Sequence, residues 1–73
     1  GTIYNISFQI PENEEVQIRV LVINGQVVSD ESKSFEEGAH IISYDASQLK
    51  DGIYFMEAIV NNQRFTEKII VRK

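Results

Sequence analysis

A period of two runs along almost the whole of this chain. Successive side chains on a pleated backbone point to opposite faces, so that period is the signature of strands and leaves little room for helix. In Ile3–Ile10 one face carries Tyr4, Ile6, Phe8 and Ile10, and the other Asn5, Ser7 and Gln9. Pro11 cannot donate to a ladder and ends the strand, and the acidic stretch 12–15 follows as a solvated turn. Val16, Ile18, Val20 and Val22 form the next inward face. Asn24-Gly25 then gives a hairpin signal, read as a type I′ turn with positive φ at both central positions. Residues 26–29 read as the return strand, and 30–37 as a polar loop with a short edge strand near Phe35.

The second half continues the pattern. Gly38 opens a strand with His40, Ile42 and Tyr44 on one face. Asp45 then starts a single turn by accepting a backbone hydrogen bond, which lets Leu49 reach back to the core. Asp51-Gly52 reads as a further turn, with glycine letting the chain bend sharply into the next strand, and residues 53–60 then place Tyr54, Met56, Ala58 and Val60 inward. Asn61-Asn62 makes a tight hairpin into a last strand over 63–72. No amphipathic helix of useful length is present. The expected fold is all-β, an immunoglobulin-like antiparallel β-sandwich of about seven short strands.

Seventy-three residues allow one domain, 1–73, and its start directly before a strand reads as a domain excised from a longer protein. With no cysteine, neither a disulfide framework nor a thiolate metal site is available, so the core alone must stabilise the fold. A net charge of −4 argues against a nucleic-acid binder, and no apolar run is long enough to span a membrane as a helix. The charge is uneven. Residues 1–37 hold seven acids and two bases, whereas 38–73 hold four acids and five bases, with Lys68, Arg72 and Lys73 at the end.

Catalytic and metal chemistry finds little support. The single histidine, His40, shares its face with Ile42 and Tyr44, where a packed ring is the expected role rather than a base. Asp30, Glu31, Glu36 and Glu37 cluster oxygen ligands without the spacing of a calcium loop, and no phosphate-binding glycine pattern occurs. No cofactor is expected. Leu21, Ile23, Ile53, Phe55, Ile59 and Ile70 lie opposite the expected core. Either they form an exposed interaction patch, through which or through edge strands the chain self-associates, or long side chains such as Arg19 and Lys68 cover them. A bulge that reverses the facing would make some of them core.

One ordered set of residues carries a family likeness. Gly38-Ala39-His40, Ile42, Tyr44-Asp45-Ala46-Ser47, Leu49, Gly52-Ile53-Tyr54 and the closing Lys68-Ile69-Ile70-Val71-Arg72-Lys73 resemble the C-terminal sorting domain of the type IX (Por) secretion system of Bacteroidetes. Ile6-Ser7-Phe8, Ile10-Pro11-Glu12, Asn24-Gly25 and Val27-Val28 resemble its opening hairpins, so the likeness covers nearly the whole chain. The asparagine-proline-rich entry usual in that family is not present before the first strand.

The resemblance implies a non-catalytic address on a cargo protein. That cargo is exported through the periplasm to the cell surface or the medium. Its partners would be the outer-membrane secretion machinery and a sortase-like peptidase that removes the domain. The resemblance further marks Gly52, Tyr54, Lys68, Val71 and Lys73 as the recognised residues. The rival reading is an immunoglobulin-like accessory or carbohydrate-binding module of a surface glycan-degrading enzyme, with Phe35, Phe55 and Phe65 as stacking candidates.

Overall fold

The structure, a computed structural model, describes residues 2–73; Gly1 lies outside the described residues. Among these residues the secondary structure is six strands and no helix: β1 (Ile3–Ile10), β2 (Glu14–Val22), β3 (Val27–Phe35), β4 (Gly38–Asp45), β5 (Gly52–Val60) and β6 (Gln63–Val71). β1 pairs with β4 in a two-stranded sheet, and the other four form a sheet in the order β3-β2-β5-β6. All pairings are antiparallel.

The alternation places the core as expected. Ile6, Phe8 and Ile10 of β1 meet Val16, Ile18 and Val20 of β2, Tyr54, Met56, Ala58 and Val60 of β5, and Ile69 and Val71 of β6. Each large aliphatic chain so buried contributes about 1.5–3 kcal/mol of transfer free energy. Chain crossings between the sheets are tied at one end, where the Glu37 N–H donates to Asn13 Oδ1 (2.9 Å). At the other end the Asp45 turn forms as the sequence implied. Ser47 N–H donates to Asp45 Oδ1 (2.9 Å), Leu49 N–H to the Ala46 carbonyl (3.0 Å), and Leu49 packs on the core.

Two local expectations need correction. The polar stretch 30–35 is strand rather than loop: it completes β3, pairing with Glu14–Arg19 of β2, so the separate edge strand near Phe35 is only the end of β3 and the total is six rather than about seven. Glu31 and Lys33 occupy core-side positions opposite Ile18 and Val16, yet stay exposed because the two-stranded sheet is too narrow to reach them. They pair with each other at 3.5 Å, and such core-side charges also discourage another chain from adding to the edge.

The hairpin at Asn24-Gly25 exists, but its turn differs. Gly25 N–H donates to the Val22 carbonyl (2.7 Å) and Gly25 alone has positive φ (+97°), so the β-turn sits on Ile23-Asn24 with Gly25 following it. Such a turn with a trailing glycine is the three-residue hairpin solution. At Asn61-Asn62, only Asn61 has positive φ (+55°). The register of β2 against β3 shifts between Val20 and Leu21, yet Leu21 still opposes Phe55 on the far side, so the bulge does not turn it inward.

Candidate recognition surface

Four of the five residues singled out in the second half of the chain meet at one corner. Gly52 opens β5 and is the register partner of Val71 on β6. Its φ is not positive, so no left-handed turn demands glycine there. A Cβ at this position would rest 3.6 Å from Cε1 of the Tyr54 ring, an ordinary contact. The expectation of a sharp glycine turn is thus corrected: Gly52 is already strand, lying over the tyrosine.

Tyr54 is buried, and its hydroxyl donates to the Lys50 carbonyl at 2.7 Å. A tyrosine at the start of a strand, bonded to backbone a few residues upstream, pins a crossing loop against a β-sheet. Val71 is buried beneath the same corner. Lys73 closes it from outside: its N–H donates to Asp51 Oδ1 (3.1 Å) and its Nζ to the Ser47 carbonyl (2.6 Å). Lys73 is therefore fastened to the β4–β5 loop. Tyr44 lies nearby, its phenol held above the usual 10.0, first by burial and then by the charges of Asp45 and Tyr54.

Lys68 stands apart from this group. It opposes Phe55 on the outer face of the four-stranded sheet. Four of the five residues thus form one corner, two of them exposed (Gly52 and Lys73) and two buried beneath (Tyr54 and Val71), while Lys68 borders the adjoining face. Lys50, Asp51 and Ser47 belong to the same corner and were not legible as such, since their roles come from backbone carbonyls and a loop carboxylate. Tyr4 does more than face the core: its hydroxyl donates to the Ile70 carbonyl at 2.7 Å, joining β1 to β6.

A family model described as the secretion system C-terminal sorting domain matches residues 2–72. The chain belongs to this family. No curated protein and no solved structure matches it. As a type IX sorting domain it is part of a secreted protein destined for the cell surface or the medium, and it interacts with the type IX machinery.

Elsewhere on the sorting domain, the other candidate groups are engaged in local contacts. His40 Nε2 donates to the Glu36 carbonyl (2.6 Å), and its ring lies beside those of Phe35 and Phe8. Asp30 accepts from Gln17 (3.0 Å) and Glu31 pairs with Lys33. No group of three or more metal-ligating side chains occurs among the described residues. Phe35 and Phe65 pack around Phe8, whereas Phe55 lies on the outer face, so the three do not share one stacking platform.

Proposed function

We propose that this domain is a non-catalytic sorting signal read in its folded form at the corner built by Gly52, Tyr54, Val71 and Lys73, with Lys68 beside it. The observation that carries this reading is the family match over residues 2–72. The corner supports it physically. Gly52 and Lys73 are exposed for contact, while Tyr54 and Val71 fix the backbone that presents them. The cargo crosses the periplasm, is moved through the outer membrane, and loses the domain to a sortase-like peptidase at the surface.

Fusing residues 1–73 to a periplasmic reporter, in a bacterium that has the machinery, tests this. The reporter should reach the surface or the medium, and its exported form should be shorter than the precursor by the domain. Lys73→Glu, which breaks only an exposed contact with the Ser47 carbonyl, should lower export while leaving the domain folded. A reporter that stays periplasmic with the domain intact and folded would refute the reading.

A further inference from the structure

The outer face of the four-stranded sheet is divided in two. At its middle, Glu57 is only 9% exposed and lies between Arg19 (3.9 Å) and Arg64 (3.7 Å). Glu57 Oε1 and Arg19 Nε have no hydrogen-bond partner although both are buried, so this carboxylate is neutralised by flanking guanidinium groups rather than offered to solvent. Beyond that stripe, toward the Asn24-Gly25 turn, the face is apolar. Leu21 opposes Phe55, and Ile53 opposes Ile70. Ile23 continues the row through its N–H bond to the Ile53 carbonyl (3.1 Å), and exposed Val27 of β3, the register partner of Leu21, extends it. Ile23 is 59% exposed and Ile70 51%.

The charges on this half are basic. Lys68 stands opposite Phe55, and exposed Arg72 follows Ile70 by two residues. Asp45 and Asp51, the acids at the same end, are turned to backbone N–H groups of Ser47 and Lys73. The domain as a whole carries −4. An apolar patch with a cationic border on an otherwise acidic molecule calls for a partner of complementary pattern.

We propose that this half-face docks a protein surface with an apolar centre and carboxylates at its rim. The proposal rests on the sorting reading, since it supplies the docking surface that accompanies the corner, and it names that partner's chemistry. The exposed apolar residues and the cationic border match such a surface in polarity and charge. The domain's overall negative charge opposes approach to an anionic bilayer.

The test is the reporter fusion carrying Ile23→Asp together with Ile70→Asp. Both side chains are largely in solvent, so the fold should persist, as read by circular dichroism. Export should fall on the order of tenfold, the loss expected when central apolar contacts are removed from an interface. The matched control is Ile3→Asp with Ile41→Asp, residues 57% and 71% exposed on the other sheet, which should export normally. Lys68→Glu should reduce export further when combined with the double variant, or alone slow it with a marked salt dependence.

Normal export of the Ile23/Ile70 variant beside normal export of the wild type would overturn this proposal and leave the sorting reading intact. An equal loss in the Ile3/Ile41 control would overturn it as well. A wild-type fusion that is not exported would remove both. Two assays of the purified chain address other occupants: sedimentation, and pelleting with phosphatidylethanolamine–phosphatidylglycerol vesicles. Dimerisation or vesicle binding that the Ile23/Ile70 variant abolishes would assign the face to a second copy or to lipid, against the proposal.

Discussion

The hydroxyl of Tyr54 is committed to the Lys50 carbonyl inside the corner, so its contribution is to stability and shape. Tyr54→Phe keeps the ring that packs on the core and over Gly52, and removes one hydrogen bond. Loss of about 1 kcal/mol is expected, measurable by urea unfolding. Export at growth temperature should be retained, because no partner needs a group already bonded within the domain. Tyr44 makes a different residue-scale prediction. Its folded-state pKa lies above its unfolded value of 10.0, so the neutral phenol is favoured in the folded state. The associated stability is fully present below about pH 10 and is lost as pH rises through the folded pKa. Comparing urea midpoints of wild type and Tyr44→Phe between neutral and strongly alkaline pH isolates this: the wild type should lose more stability than the variant above pH 10.

Individual elements differ in how plainly the sequence announces them. β1 and the first part of β2 were legible because one face is buried and the other is not, so apolar and polar residues alternate. β5 was legible instead as a nearly continuous apolar run between turn residues, with both faces covered or apolar. β3 was only partly legible. It lies at the edge and beyond the reach of the narrow second sheet, so its core-side positions take Glu31 and Lys33 and the alternation vanishes. What makes it a strand is ladder bonding to β2, which leaves no trace in side-chain hydropathy. The hairpin before it was legible as a site and not as a type. The Asn-Gly pair fits two turns, and only the backbone shows that Gly25 alone has positive φ. That geometry gives a prediction. Open space surrounds the position where a Cβ would stand on Gly25, so Gly25→Ala meets no clash and suffers only the left-handed backbone penalty. About 1–2 kcal/mol should be lost in denaturant unfolding. Gly25→Asn should lose less, since asparagine tolerates that region better.

At the scale of the whole molecule, the charge asymmetry of the sequence becomes an asymmetry in space. Glu14 begins β2 beside Phe35, so the acids of 12–15 and 36–37 gather at one end of a body 38 Å long. Gly52 pairs with Val71 at the other end, where Lys68, Arg72 and Lys73 lie. Gly52, Tyr54, Val71 and Lys73 are singled out through an ordered motif, whereas the parts of Ser47, Lys50 and Asp51 in the same corner are not. Alternation places Tyr54 inward, whereas the burial of Val71 beside it was not legible, because that position is covered only once two sheets close over it. If recognition requires the assembled end rather than the residues themselves, destabilising the core at a buried position outside the recognised set must affect it. Met56 is fully buried in mid-β5 and opposes Val20 across the four-stranded sheet. Met56→Ala should cost about 2–5 kcal/mol. A domain of this length has roughly 4–11 kcal/mol in total. The melting temperature should accordingly drop by about 10–30 °C. Export of the Met56→Ala fusion, followed across that temperature range, should track the folded fraction measured by circular dichroism, although every residue from Gly52 onward except Met56 is unchanged. Export that continues at the wild-type rate above the variant's melting temperature would mean that the machinery reads the unfolded tail as a linear sequence.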